Sequence, residues 1–164
     1  YPSPIIRKKI DTSNGLIFFS EPLKEDMIIN GAFTGEIVAS INRRDMDFGI
    51  TLYELNSKGE YFHLSYVIDR ASFSKDRSQR HLLEPHEMTR LTLPSTRMVS
   101  KQLKKGSRIV AYLNINKNAF AQLNYGSGKD VSDETLLDAN EKLIVKWYAQ
   151  SVIRIPVLRS TPKS

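Results

Sequence analysis

Between residues 27 and 41 the apolar side chains fall on alternate positions, and this pattern constrains the chain more than any other feature. Phe33, Ile37, Ala39 and Ile41 share one parity; Thr34, Glu36 and Ser40 share the other. Successive side chains of a strand point to opposite faces, so the pattern predicts a half-buried strand rather than a helix. Gly31 and Gly35 inside it predict a bulge or a bend. Extended segments recur along the rest of the chain, at 16–19, 48–55, 61–73, 88–99, 107–115, 143–148 and 152–157. Turn signals separate them: Asn14-Gly15, the polar run Asn56-Ser57-Lys58-Gly59-Glu60, a Pro-bearing turn at 82–87, and Lys104-Lys105-Gly106. Helical periodicity is confined to 132–141, where Leu136 and Leu137 predict one short helix capped by Ser132 or Asp133. About eight strands with regular turns predict an all-β sandwich or barrel.

The 164 residues, 40% hydrophobic and 26% charged, suffice for one sandwich core and leave little room for a second domain. The absence of cysteine excludes a disulfide framework, a thiolate metal site and a cysteine nucleophile. No apolar run reaches the length of a membrane helix. The net charge of +6 comes from scattered Lys and Arg, paired as lysines only at Lys8-Lys9 and Lys104-Lys105. That reads as a solvated basic surface, not a nucleic-acid-binding stripe. The first residues, Tyr1-Pro2-Ser3-Pro4, carry neither an initiator Met nor a signal-peptide core. The expectation is a processed product or part of something longer. Its compartment is left open between cytoplasmic and periplasmic or secreted, since any signal would lie upstream.

Catalytic motifs are weak. Gly126-Ser127-Gly128 comes nearest to a G-x-S-x-G elbow, but Tyr125 holds the first glycine position and no βαβ pattern supports it. Gly126-Ser127-Gly128-Lys129 is no phosphate loop either, because Leu123 and Asp130 stand where a glycine and a hydroxyl are needed. His81 and His86 flank a turn with nothing nearby to complete a zinc set. Asp45 and Asp47 read as turn-forming acids in preference to calcium ligands. Asp133 and Glu134 read as helix-start acids, not an acid–base pair. No catalytic residue, metal or cofactor is expected.

A family resemblance emerges from the order of the segments. Leu16-Ile17-Phe18-Phe19-Ser20-Glu21-Pro22-Leu23, followed by Glu25-Asp26 and a strand reaching Gly31, resembles the opening of the C-terminal domain of X-Pro dipeptidyl-peptidase-like hydrolases. Asp45-Met46-Asp47-Phe48 is similar to that family's Asp-x-Asp-Phe strand, and Arg70-Ala71-Ser72 to its Arg-Ala-Ser strand end. Leu83-Glu84-Pro85-His86-Glu87 resembles its Leu-x-Pro-Gly-Glu turn with His86 in place of Gly. Lys105-Gly106-Ser107-Arg108 resembles its Gly-His-Arg strand start with Ser107 in place of His. The run from Asn124 to Val131 resembles a loop of the cocaine-esterase/NonD branch, and Ser151-Val152-Ile153-Arg154-Ile155-Pro156 resembles the closing strand.

The resemblance implies a jelly-roll β-sandwich of the galactose-binding-domain-like type over 15–158, with 1–14 as a lead-in and 159–164 as a tail. It implies a non-catalytic accessory domain. The Ser-His-Asp triad would lie in an upstream α/β-hydrolase domain of the same polypeptide, a dipeptidyl-peptidase, acylase or esterase. That catalytic domain is the expected partner, through a face that shapes the substrate cleft or an oligomer contact. The expected docking or ligand loop holds Phe120, Leu123, Tyr125, Gly126 and Gly128, a long stretch not needed to close a hairpin. The alternative is a stand-alone carbohydrate-binding module, with Trp147, Tyr148, Tyr125 and Phe120 as stacking residues.

Overall fold

The computed structural model describes residues 4–94, 96–116 and 121–158. Their strands run in order β1 Ile6–Arg7, β2 Gly15–Phe19, β3 Met27–Gly31, β4 Thr34–Ile41, β5 Asp47–Leu55, β6 Tyr61–Arg70, β7 Thr89–Thr92, β8 Val99–Leu103, β9 Arg108–Ile115, β10 Val145–Trp147, β11 Val152–Arg154 and β12 Val157–Leu158. One layer is a five-stranded antiparallel sheet in the order β1-β6-β5-β9-β2. The second layer comprises two smaller antiparallel sheets.

Those two sheets repeat one another. β4 lies between β7 and the β10/β11 edge, and β3 lies between β8 and β12. Each of the three ribbons β3–β4, β7–β8 and β11–β12 is therefore one run of chain that breaks as it passes from one sheet to the other. The breaks have local causes. Gly31 adopts φ +132°, reserved in practice for glycine, and an added Cβ there would meet Pro156 at 3.0 Å. Pro94 and Pro156 interrupt the other two ribbons. The single strands expected at 27–41 and 152–157 are thus each divided in two, and the one expected at 88–99 ends at Thr92, with β8 beginning only at Val99.

Phe48, Ile50 and Leu52 of β5 share one parity and face Ile37, Ala39 and Ile41 of β4 across the sandwich, with Leu91, Leu103 and Leu113 around them. Burial of each such side chain contributes about 1.5–3 kcal/mol. The outer face of the five-stranded sheet is also covered in part: Tyr53, Val110 and Tyr112 pack with Ile10 of the lead-in. β1 pairs with the start of β6, so residues before Gly15 contribute a short strand to the sheet.

The predicted helix at 132–141 forms two 3-10 turns instead, Val131–Asp133 and Leu136–Ala139. Asp130 and Thr135 cap them, in place of Ser132 or Asp133. Glu134 between them is extended, because its carboxylate is engaged elsewhere. Leu136 and Leu137, 81% and 85% exposed, bury no apolar face.

Candidate docking surface

The two acids before β5 build one end of the sandwich. Asp45 is fully buried. Its Oδ1 accepts the N–H groups of Met46 (2.9 Å) and Ser72 (3.0 Å). Its Oδ2 accepts Ser72 Oγ (2.8 Å) and Arg80 Nη2 (3.2 Å). Asp47 holds Arg70 through two parallel bonds, from Nε at 2.8 Å and Nη2 at 3.1 Å. The Asp47 carboxylate also raises the pKa of Arg70, first by that hydrogen bond. The Asp-x-Asp and Arg-Ala-Ser segments, far apart in sequence, are therefore two halves of one network. Charge-assisted, bidentate bonds of this kind are the strong ones.

The network carries the loop after β9. Asn124 Nδ2 donates to Asp47 at 2.9 Å, and Asn124 Oδ1 accepts the Gly126 N–H at 2.8 Å. Glu134 accepts the N–H groups of Tyr125 (2.7 Å) and Ser127 (2.8 Å) and the Ser127 hydroxyl (2.6 Å). The Gly126 carbonyl accepts the Arg44 N–H at 3.0 Å. Gly126 is buried at φ +78°, and a Cβ there would lie 2.6 Å from the Asp45 carbonyl. Gly128 also has positive φ, +91°. Tyr125 is half-buried and Leu123 is 45% exposed; Phe120 lies outside the described residues. The loop is thus a rigid platform whose apolar projection among the described residues is Leu123. Arg70, Ser72, Arg80 and Glu134 escaped the sequence reading as a group, although Arg70-Ala71-Ser72 had signalled two of them.

A larger apolar feature lies along the open side of the sandwich. β2 is the last strand of its layer, and β10 and β11 form the edge of the layer opposite. Between them opens a cleft of about 670 Å³ lined by Leu16, Phe18, Leu113, Trp147, Ile153 and Ile155, among others. Leu16 and Phe18 pair with Leu113 and Ala111 and share their inward parity. They should be core residues, yet they are 42% and 54% exposed. The opposite layer stops short of them.

The far wall is fixed. Between β10 and β11 the chain leaves β4, and the Ser151 hydroxyl takes over a ladder bond by accepting the Val38 N–H at 2.9 Å. Tyr148 Oη lies 3.1 Å from Ser40 Oγ, and Trp147 packs against the main core. Both rings are half-buried walls rather than exposed stacking platforms.

Comparison with known proteins agrees with this architecture. An α-amino acid ester hydrolase superposes with a TM-score of 0.81 at 19% identity, over 88% of this chain and 26% of that one. An aminopeptidase from a marine sediment archaeon, Thaumarchaeota archaeon, gives 0.81 at 19% identity, over 90% and 26%. A CocE/NonD family hydrolase from Staphylococcus aureus gives 0.64 at 14% identity, over 90% and 31%. These likenesses are of fold, and the chain spans about a quarter to a third of each of those proteins. No curated protein sequence matches it. Residues 4–113 match the family described as the X-Pro dipeptidyl-peptidase C-terminal non-catalytic domain. On that match, and with the β-sandwich it carries, the chain belongs to the X-Pro dipeptidyl-peptidase C-terminal non-catalytic domain family.

Proposed function

We propose that this chain is the accessory domain of a serine α/β-hydrolase of the dipeptidyl-peptidase, acylase or esterase type. It packs on the catalytic domain and helps to wall the substrate cleft or an oligomer contact. Its sandwich is read as a jelly roll of the galactose-binding-like type. The observation that carries the reading is the open side: inward-facing Leu16 and Phe18 lie half in water above an apolar cleft. Exposed apolar patches of this kind mark surfaces that another body covers. The platform bearing Leu123, Tyr125, Gly126 and Gly128, with Phe120 preceding it, supplies a second contact. The test is activity. The isolated chain should not hydrolyse aryl esters or X-Pro amides. Turnover that survives purification and is lost on replacing one serine of this chain overturns the reading.

A second reading, carbohydrate binding, draws on a different place from the rings first expected to serve it. A depression of about 310 Å³ with a mixed polar and apolar lining lies on the outer face, where Asp11, Thr51, Tyr66, Tyr112 and Asn114 supply its polar groups. Gly49 leaves its floor open, since a Cβ there would meet Asn114 Oδ1 at 2.7 Å. Aromatic walls with hydroxyl, amide and carboxylate groups suit a neutral sugar. Titration with mono- and oligosaccharides, followed by tyrosine fluorescence, decides it: a saturable change at sub-millimolar sugar favours this reading, and no change rejects it.

A further inference from the structure

The open side has two unmet requirements, and one kind of partner satisfies both. The first is the apolar cleft beneath Leu16 and Phe18. The second is the backbone of β2. Its register against β9 pairs Leu16 with Leu113 and Phe18 with Ala111, and the Ser20 N–H donates to the Ile109 carbonyl at 2.9 Å. Antiparallel ladders alternate, so Leu16 and Phe18 bond inward to β9 while Ile17 and Phe19 direct their N–H and C=O groups away from it. Among the described residues β2 has no neighbour on that far side. A five-residue edge carrying Leu16, Ile17, Phe18 and Phe19 has neither proline nor charge to discourage pairing.

Resting on the accessory-domain reading, we propose that an extended segment of the catalytic domain adds to β2 as a sixth strand of its sheet. It bonds to Ile17 and Phe19 and places alternate apolar side chains in the cleft. Strand addition joins main-chain affinity to side-chain selectivity at alternate positions. The matching part is about a quarter of the α-amino acid ester hydrolase and of the archaeal aminopeptidase, so most of each such chain lies outside it and can supply the occupant. A short apolar ligand would fill the cleft and leave Ile17 and Phe19 unpaired. A strand meets both needs.

Amide exchange, compared between the isolated chain and the complete hydrolase polypeptide, tests this. The N–H groups of Ile17 and Phe19 should slow by about 100-fold or more in the complete polypeptide, as buried ladder amides do. Trp147 emission should shift to the blue as the cleft dries. Ile17→Pro removes one outward N–H without breaking the β9 ladder. It should leave the isolated chain folded and abolish the protection of Phe19 in the complete hydrolase. Should Ile17→Pro unfold the chain, Phe18→Glu tests the same contact from the cleft side, with the same loss of protection expected. Unchanged exchange at Ile17 and Phe19, with the Trp147 shift present, overturns strand addition and leaves docking intact. Unchanged exchange and unchanged emission remove the cleft from the interface altogether. Protection already present in an isolated chain of doubled mass assigns β2 to a second copy and overturns the proposal. Turnover by the isolated chain strikes the accessory-domain reading itself.

Discussion

Replacing His86 with glycine should stabilise this domain. Glu84-Pro85-His86-Glu87 forms a turn closed by the Glu87 N–H to the Glu84 carbonyl at 3.2 Å. Proline occupies its second position, and His86, in the third, has φ 70°. That is the arrangement of a type II turn, whose third residue favours glycine. Among the described residues His86 is the one non-glycine with positive φ. Its side chain is exposed, while its N–H donates to the Ile41 carbonyl at 2.6 Å, a bond that glycine keeps. A left-handed L-residue costs about 1–2 kcal/mol. Glycine gives back about 0.5–1 kcal/mol through its freer unfolded chain. The net gain spans about 0–1.5 kcal/mol, centred on ~0.75 kcal/mol, which raises Tm by about 2–3 °C in a domain of this size. His86→Ala keeps the strain and should gain nothing, whereas a β-branched His86→Val should lose stability. The assay is thermal and urea unfolding of all three variants at one pH. A His86→Gly protein that melts below the parent, or a His86→Val that melts with it, refutes the argument.

The corner network should be the most sensitive polar site. Asp45→Ala strands Ser72 and part of Arg80 and should cost about 3 kcal/mol in urea unfolding. Gly126→Ala forces a Cβ against the Asp45 carbonyl at positive φ and should cost about 2 kcal/mol. Gly106→Ala, at φ +87° but facing open space, should cost only about 1 kcal/mol. His63 has its pKa held below the ordinary 6.5 by burial first, then by Arg7, with Arg97 adding to it. Below pH 6.5 the unfolded chain therefore takes up a proton that the folded chain resists. This contribution to stability should fall as pH drops from 7.5 towards 5.5, and His63→Asn should flatten that slope in unfolding titrations.

Alternation made the strands legible, because a strand with one face in the core records its register in parity. It served for Phe33 to Ile41 and for Ile109 to Leu113. Punctuation was harder to weigh. Pro94 and Pro156 were visible, but nothing local announced that they, with Gly31, break three neighbouring ribbons together. That alignment exists only once β4 has met β7 and β11. The helix at 132–141 misled because Leu136 and Leu137 look like a buried face, whereas tertiary bonds from Glu134 hold the backbone extended between two turns. The place of Ser107 is not contained in local sequence either: its hydroxyl donates to buried Glu54 at 2.8 Å. The loop expected to dock was legible from its length and aromatics. The apolar cleft was not, since its walls come from β2 and from β10 and β11, more than a hundred residues apart.

The order of pairing has a consequence for biosynthesis. β2 pairs with β9, β3 with β8, and β4 with β10 and β11, so early strands must wait for late ones. As the chain leaves the ribosome, β5 and β6 can close their hairpin at once, and β4 can take β7 on one side, but β2 stays unpaired until β9 has emerged and the other side of β4 until β10 and β11 have. Loops of that span close slowly. During the interval Leu16 to Phe19 is an apolar strand without a sheet, in the state most exposed to chaperones and to wrong pairing. A nascent chain halted after residue 113 would carry the whole family match and still lack the strands that cover β4. Closure of the sandwich thus waits on residues 108–158, which supply β9 to β12.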